Sequence, residues 1–429
     1  MRSFLIASVV LFLTPLLGGC DRILGKDGNQ VQRSGPEFSY TLIDSSNSMI
    51  SDSTTWTRAN GPYRVTTEVH VSSGGVLTIE PGVDVLFDTN ATVVVFGELR
   101  AYGMVTDSVR FLPGDAQGWG GIWLTGYSCV GKATMRYARI SGADLPEWQR
   151  LENLAIERLQ ESGIMVKPRV RSGGAGIYAN GQRCVLDLAH VVVSNNIAAA
   201  ERDGHYSEWN GGGVYLADGA KASFSVCTIR SNVAGRGGGV SVVGSTSSAV
   251  LDRCLIADNV SRMGGAAFDI SGTAMLTRCI VVGNTATNVR GTAIYSRSAI
   301  YSCGTLSILN GTVFGNSTLG SGLGAGGAIY VIGITEIANS VIWGNAPGSF
   351  APRQLLSRLD VRYSDIQFDS AAFPGTANLN ADPMFTDPVD RDFTPSPYSP
   401  LVDAGDPDSP HDPDGSRTDI GAVPAKRVR

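Results

Sequence analysis

The chain has 429 residues, 53 of them glycine, and a formal net charge of −5. Only 17% of its residues are charged, so it offers no basic field that would attract nucleic acid, and we expect no nucleic-acid partner. A chain of this length ordinarily indicates two or three globular domains. A chain of stacked repeats escapes that argument because it grows along one axis.

The first 20 residues have the layout of an export signal. The apolar run from Phe4 to Leu17 is too short to span a bilayer as a helix. It ends in Leu17-Gly18-Gly19-Cys20, which resembles the lipobox of bacterial lipoproteins. The resemblance implies lipidation of Cys20 and an exported protein anchored to a membrane of the cell envelope, on its periplasmic face or at the cell surface. An ordinary signal with a chance Gly-Gly-Cys is the alternative.

Strand-like alternation begins after a polar stretch. We interpret 21–59 as a tether and lead-in, since 21–38 is polar. Apolar and polar residues alternate from Tyr63 to Phe111, which indicates short strands. The sequence therefore predicts a repeating body over 60–365 and an acidic capping segment over 366–429.

Residues 145–162 interrupt this pattern with helical spacing. A proline stands in the first turn and Gly163 follows the last. The apolar residues fall two or three apart: Trp148, Leu151, Leu154, Ile156 and Leu159. The sequence predicts one inserted surface helix here.

A single short pattern then recurs six times. Each copy begins with a glycine-rich start, at Gly174, Gly211, Gly237, Gly264, Gly291 and Gly326. Each copy ends on an asparagine, at Asn196, Asn232, Asn259, Asn284, Asn316 and Asn345. The commonest interval is 25 to 27 residues, in the range of stacked repeats. Three short strands per copy predict a coil in which equivalent strands stack as parallel sheets.

These repeats resemble those of chlamydial polymorphic outer-membrane proteins and the broader pectate-lyase-like β-helix superfamily, over about 170–346. The segments Leu379–Phe385 and Tyr398–Gly405 resemble the end of choice-of-anchor β-helix proteins. The resemblance implies an all-β, right-handed parallel β-helix, and the crossover rule for parallel strands favours the same hand. It fixes no activity, because the superfamily includes lyases, hydrolases, epimerases and adhesins.

Two columns of equivalent residues support stacking. The position six residues before each closing asparagine is expected to be a left-handed bend: His190, Val226, Arg253, Arg278, Asn310 and Asn339. The next position holds Cys227, Cys254 and Cys279, which we expect to stack as buried free thiols. Disulfides are the alternative, because six cysteines follow Cys20 in a compartment that permits them.

Aromatic residues follow the inward aliphatic position in most copies: Tyr178, Tyr215, Phe268, Tyr295 and Tyr330. Alternation would turn these rings outward, one above another at the strand spacing of about 4.8 Å. Sugars stack on exposed rings, so such a column would bind an extended polysaccharide. The alternative is that the rings pack on each other and stabilise neighbouring coils.

A second candidate ligand-contact region comes from two insertions at the same corner of consecutive coils. The predicted helix and the loop 202–209 would lie side by side there. The candidate residues are Trp148, His205, Tyr206, Glu208 and Trp209. The alternative is a helix that covers a coil end and a solvated loop.

Catalytic and metal-binding signals are weaker. Asp252, Arg253 and Arg278 fall on neighbouring coils and form the one catalytic candidate, although a surface ion pair explains them as well. The C-terminal aspartates resemble a calcium loop, with an acidic cap as the alternative. The candidate Ca²⁺ ligands are Asp406, Asp408, Asp412, Asp414 and Asp419.

The sequence therefore favours an exported, lipid-anchored β-helix that presents an elongated surface to a polysaccharide or another surface ligand. A polysaccharide lyase of the same fold is the first alternative, and an architectural spacer without a site is the second. Whether the chain is an enzyme stays open.

Overall fold

Parallel strands wound into a solenoid make up almost all of the described chain. The computed structural model describes residues 39–89, 91–115, 118–125, 130–144, 174–198, 201–202, 205–206, 210–287, 298–319, 328–350, 359–368 and 372–426. The predicted helix at 145–162 lies outside these residues. The described helical structure is a single 3-10 turn, Arg58–Asn60.

Three long parallel sheets form the walls of the solenoid in the described residues. Sheet 1 has twelve strands: Thr41–Ile43, Tyr63–Val65, Asp84–Phe87, Val109–Pro113, Ala138–Ser141, Val192–Ser194, Thr228–Arg230, Leu255–Ala257, Ile280–Val282, Thr312–Phe314, Val341–Trp343 and Asp365–Ile366. Sheet 2 has ten strands: Met49–Ile50, Val69–Val71, Val93–Val95, Ile122–Thr125, Ile177–Asn180, Val214–Ala217, Val240–Val242, Phe268–Ile270, Ile300–Ser302 and Ile329–Val331. Sheet 3 has eleven strands: Ser53–Trp56, Val76–Ile79, Glu98–Tyr102, Lys132–Arg136, Val185–Ala189, Lys221–Ser225, Ser248–Asp252, Thr273–Thr277, Thr305–Leu309, Ile334–Ala338 and Leu359–Arg362.

A fourth, smaller sheet joins sheet 1 to sheet 2 in the middle coils. Among the described residues sheet 4 has five strands: Ile197–Ala198, Val233–Arg236, Val260–Gly264, Thr285–Thr287 and Ser317–Leu319. Two antiparallel pairs lie outside the walls: Glu201–Arg202 with His205–Tyr206, and Phe385–Asp387 with Asp392–Pro395. A coil thus runs through sheets 2, 3, 1 and, where present, 4, one strand more than the predicted three.

The solenoid begins earlier than the predicted residue 60. Thr41–Ile43 already pairs in parallel with Tyr63–Val65, and Ser53–Trp56 pairs with Val76–Ile79. The segment assigned to a lead-in therefore contributes a complete first coil from about residue 41. Its alternation was harder to recognise because polar residues such as Ser53 and Thr55 occupy its outward positions.

Inward side chains form continuous columns that fill the coil interior. Ile177, Val214 and Val240 pair on successive strands of sheet 2, and all three are fully buried. Phe224 and Leu251 likewise pair on successive strands of sheet 3 and are buried. Since no strand could bury a face alone, this shared core stabilises the stack as a whole.

The predicted left-handed bends are confirmed. His190, Val226, Arg253, Arg278, Asn310 and Asn339 have φ between 48° and 55°. Valine is an outlier in this conformation because its branched side chain crowds the backbone. Position in the coil therefore overrides residue type at Val226.

The closing asparagines form a buried ladder. Asn259 Nδ2 donates to Asn284 Oδ1 at 2.9 Å and to the Ile229 carbonyl at 3.0 Å. Asn259 Oδ1 accepts from the Nδ2 and backbone N–H of Asn232, both at 3.0 Å. The same side-chain contact links all six asparagines from Asn196 to Asn345. Each amide thus satisfies its own buried groups while fixing the spacing between coils.

The cysteine column is also confirmed. Cys227, Cys254 and Cys279 are buried free thiols on successive coils, and the Cys227 N–H donates to Cys254 Sγ at 3.4 Å. The hydrogen bond with Cys254, together with burial, raises the pKa of Cys227. For Cys254 the hydrogen bond with Cys227 lowers the pKa, but the bond with Cys279 and burial outweigh it and raise the value to about 12. These thiols pack as small apolar residues.

The C-terminal segment lies along the outer face of sheet 1. The last coil extends to Leu379, which bridges Asp365. The chain then turns back, and Phe393 packs on Ala257 and Val282 while Leu401 and Ile420 pack on Val341. Arg391 pairs with Asp258 at 2.6 Å, and Asn339 Nδ2 donates to Ser409 Oγ at 2.9 Å. The segment therefore covers the side of the solenoid as well as its end.

The burial of Asp365 predicts that the stability of the folded protein depends on pH. Its side chain is fully buried; Oδ1 accepts from the Ala381 N–H at 3.0 Å, and Oδ2 has no hydrogen-bond partner among the described residues. Burial raises its pKa from 3.8 to about 7. Between those values the folded state holds a proton that the unfolded state has released, so stability falls as pH rises from about 4 to 7.

We expect Asp365→Asn, which resembles the protonated acid, to raise the urea midpoint strongly at pH 8 and by only about a third as much at pH 5, because most of the window between the two pKa values lies above pH 5. Denaturation of both chains at the two pH values is the measurement. An equal shift at both pH values would mean that Asp365 does not titrate between them.

Candidate functional site

The outward column of sheet 2 collects the aromatic residues of the repeats. Strand register places these residues on successive strands: Trp123, Tyr178, Tyr215, Ser241, Asp269, Tyr301 and Tyr330. Two ring clusters are thus separated by a serine and an aspartate. The two clusters have different surroundings.

The first cluster is buried. Trp123, Tyr178 and Tyr215 are 7%, 4% and 9% exposed, and the last two rings stack with centroids 5.3 Å apart. The prediction of exposed rings is wrong for Tyr178 and Tyr215, because sheet 2 is covered on its outer side here. These rings stabilise neighbouring coils, which is the alternative that the sequence left open.

Phe268 does not belong to the outward column. It pairs with Val240 and Ile300 and is fully buried in the core. Strand pairing places the glycine start of this copy at Gly265, one residue later than predicted, and a shift of one residue reverses the face of every side chain in a strand. The outward residue is Asp269. Tyr295 lies outside the described residues, and Tyr301 supplies the ring of its coil.

The second cluster is partly accessible. Tyr301 and Tyr330 are half-buried, and their rings stack with centroids 5.8 Å apart and planes 11° apart. Asp269 lies on the strand before Tyr301 and is 8% exposed. Cys303, two residues after Tyr301, is exposed. Half-buried Arg236 ends a strand of sheet 4 and acts electrostatically on Asp269 and Tyr301. We call Asp269, Tyr301, Tyr330, Cys303 and Arg236 the Asp269 cluster.

Burial raises the pKa values of three residues in the Asp269 cluster. Burial raises the pKa of Asp269 to about 6, and the charge of Arg236 opposes that rise. Burial raises the pKa of Tyr301 to about 12, with contributions from Cys303 and Asp269. Burial also raises the pKa of Cys303. The cluster can therefore present a carboxylate and the neutral phenol of Tyr301 at neutral pH, near the guanidinium of Arg236.

The Asp269 carboxylate is nine-tenths buried, and the charge of Arg236 acts on it. Burying an ionised carboxylate is costly, and a ligand that donates hydrogen bonds to it relieves part of that cost. Such a group beside two partly accessible rings points to a ligand. This is the strongest indication of a binding site in the described chain.

The predicted catalytic candidates form a surface ion cluster. Arg253 Nε and Arg278 Nη2 each lie 2.8 Å from a different oxygen of Asp252. Burial raises the pKa of Asp252, but both guanidinium groups hold it below its ordinary value. A carboxylate that stays ionised with both oxygens engaged is a poor proton acceptor. The arrangement matches the surface ion pair that was the alternative.

The predicted calcium ligands are occupied by the turns of their own loop. Asp412 Oδ2 accepts from the Asp419 N–H at 2.8 Å, and Asp414 Oδ1 accepts from the Ser416 N–H at 3.0 Å. Asp406 Oδ1 likewise accepts from the Asp408 N–H at 3.0 Å. No group of three metal-ligating side chains occurs in the described ranges. These residues do not fit a Ca²⁺ site, and we derive no step through the ion.

Most of the predicted wall at the insertions lies outside the described residues, as do Trp148, Glu208, Trp209 and Cys20. Only the backbone of His205 and Tyr206 is described, as a strand paired with Glu201–Arg202. In the part of the chain that the structure covers, no helix has the length and apolarity needed to cross a bilayer. The wall and the lipid anchor stay predictions.

Comparison with known proteins identifies the fold family. No curated protein matches the sequence. Among solved structures, pectate lyase Pel9A is similar at 14% identity and a TM-score of 0.37, over 86% of this chain and 88% of that one. The family model described as "Right handed beta helix region" matches residues 121–346. The chain belongs to this right-handed parallel β-helix family.

Proposed function

We propose that the protein binds an extended polysaccharide along the outer face of sheet 2, at the Asp269 cluster. We further propose that it does so in the bacterial cell envelope, exported by its N-terminal signal and anchored through a lipid on Cys20. The observation that carries the binding proposal is the stacked, half-buried pair of Tyr301 and Tyr330 beside the largely buried carboxylate of Asp269.

Three features of the cluster support a sugar ligand. Two stacked rings on successive strands leave part of their apolar surface accessible, and this surface is a platform for a ligand. The repeat of that platform along the solenoid axis suits a ligand that is itself a linear repeat. Asp269 and Arg236 add the few polar groups that orient a ligand at such a surface.

Binding is tested with full-length chains and a panel of soluble polysaccharides, by titration calorimetry. We expect Tyr301→Ala and Tyr330→Ala each to weaken binding at least about tenfold, because each removes one ring of the platform. Tyr398→Ala is the matched control, since Tyr398 is 88% exposed in the C-terminal segment. Equal affinity of all four chains would place binding elsewhere and refute the proposal.

A polysaccharide lyase is the second candidate, favoured by one observation. Asp269, with a pKa of about 6, lies near a guanidinium and a phenol, which are groups that a proton-abstracting enzyme uses. Incubation with acidic glycans tests it, because a lyase forms an unsaturated product that absorbs ultraviolet light. If the chain neither cleaves nor binds any of these glycans, the architectural spacer is the remaining candidate.

A further inference from the structure

We infer that the corner between sheets 3 and 1 binds an anionic lipid membrane, through an apolar turn at Met104 and Val105 and the arginines that follow it. This goes beyond the proposed function and uses neither the sugar site nor the proposed acyl chain on Cys20. Because a coil runs through sheets 2, 3 and 1 in turn, this corner lies across the coil from the Asp269 cluster. A chain bound here would leave sheet 2 free for another ligand.

The corner is a continuous ridge. Its bends, all with φ between 46° and 55°, are Tyr137, His190, Val226, Arg253 and Arg278. Each bend donates its N–H to the carbonyl that precedes the bend of the next coil, at 2.9 to 3.1 Å. One coil before Tyr137 the longer turn 102–108 replaces the bend, and the Val109 N–H donates to the Tyr137 carbonyl at 3.2 Å. We call this turn and the five bends the corner ridge.

The turn exposes apolar side chains. Met104 and Val105 are 57% and 81% exposed, and Tyr102 is 41% exposed. Next to the turn, the rings of Tyr137 and His190 stack with centroids 4.4 Å apart, and His190 is exposed. Exposed apolar side chains that lie together indicate an interaction surface, and they gain free energy when they enter the boundary of a bilayer.

Arginines follow the turn along the ridge. Arg253 and Arg278 share Asp252, so one of their two charges is in excess. Arg139 follows the Tyr137 bend and Arg230 follows the Val226 bend, both on the outer face of sheet 1. Both are exposed, and neither forms an ion pair with a described residue. Three guanidinium charges are therefore in excess.

The acids near the turn offset only part of this charge. Asp107 pairs with Arg58 at 3.1 Å, and Asp187 pairs with Arg136 at 2.6 Å. Glu80 accepts from the Arg58 backbone N–H at 3.0 Å and offsets one charge. The ridge therefore keeps an excess of positive charge on a chain whose net charge is −5. Each arginine close to an anionic membrane strengthens binding about fivefold.

The combination of apolar turn and arginines favours a membrane over other partners. A soluble polyanion would contact the guanidinium groups and leave Val105 in water. A bilayer with anionic headgroups suits both, because apolar side chains enter the interfacial region while guanidinium groups stay at the headgroups.

Hydrogen exchange on the full-length chain with Cys20→Ala tests the inference without an acyl chain at that position. The vesicles are phosphatidylcholine alone or an equal mixture with phosphatidylglycerol. We expect the 102–108 peptide to exchange about tenfold more slowly on the mixed vesicles than in solution, and not on phosphatidylcholine alone or at high salt. Exchange is read peptide by peptide, so attachment through the apolar run from Phe4 to Leu17 does not produce the same result.

Two paired variants assign the effect to the ridge. Met104→Ser with Val105→Ser removes the apolar turn, and Arg139→Ser with Arg230→Ser removes two charges; each pair is expected to abolish most of the slowing. Val389→Ser is the matched control, since Val389 is an exposed valine, at 89%, in the C-terminal segment. All five side chains are exposed, so we expect the variants to fold.

Three results would overturn the inference: no slowing over 102–108 on mixed vesicles, equal slowing on both kinds of vesicle, or slowing that persists in both paired variants. Slowing by soluble polygalacturonate but not by vesicles would also overturn it and would assign the ridge to an anionic glycan. None of these results bears on Tyr301 and Tyr330, so the sugar proposal succeeds or fails separately.

Discussion

Asn259→Ala is expected to destabilise the protein by about 2–6 kcal/mol, because it orphans two buried donors at about 1–3 kcal/mol each. The donors are the backbone N–H of Asn232 and one hydrogen of its Nδ2, which both bond Asn259 Oδ1 at 3.0 Å. The coils on both sides of Asn259 also lose the contact that sets their spacing. Urea denaturation gives the free energy of unfolding.

Asn60→Ala is the matched control. Asn60 is exposed and its side chain has no hydrogen bond in the described structure, so we expect a change within about 0.5 kcal/mol. If the two variants unfolded at the same urea concentration, the asparagine ladder would not contribute to stability. Amide hydrogen exchange would then show no faster opening of the coils that contain Asn232, Asn259 and Asn284.

Phe268→Ala is expected to cost about 3–5 kcal/mol, because truncating a fully buried phenylalanine leaves a cavity that the stacked coils cannot close. Thermal or urea unfolding measures the loss. The variant also decides between two registers: Phe268 points into the core in the structure, whereas the glycine alignment placed it outside.

Tyr330→Ala is the variant with which Phe268→Ala is compared. Tyr330 is outward and half-buried, so its truncation should cost clearly less than that of Phe268. Phe268→Leu should recover most of the stability, since it refills much of the cavity. Equal losses for Phe268→Ala and Tyr330→Ala would mean that both rings lie on the same face and that the register is wrong.

The fold was predictable because the repeats keep their spacing through most of the chain. The bend column at Val226 and Arg253 and the thiol column at Cys227 and Cys254 both follow from counting back from the asparagines. Each residue has the same place in its coil, so its environment depends on its repeat position more than on its type. The contacts among the asparagines did not follow from spacing alone.

Asp269 and Tyr301 were not predicted as site residues because two glycine starts were misplaced. Gly264 and Gly265 both fit the glycine start of this copy. If the start is placed at Gly264, the outward position falls on Phe268 instead of Asp269. In the next copy Gly291–Tyr295 imitates a start, but the strand there is Ile300–Ser302. The distance to the closing asparagine could have found Tyr301, since Ile300 precedes Asn316 by the same interval as Ile329 precedes Asn345.

The position of Arg236 had no signal in the sequence. It ends a strand of sheet 4, and that sheet was not predicted because its strands are as short as two residues. The burial of Tyr178 and Tyr215 could not be predicted either, because alternation gives the face of a side chain but not what covers that face. Both depend on how separate parts of the coil meet.

A crystal structure of the full-length chain with a bound oligosaccharide tests the account most directly. We expect a sugar ring against Tyr301 and Tyr330 on the outer face of sheet 2, beside Asp269. A ligand bound on another face of the solenoid would contradict it.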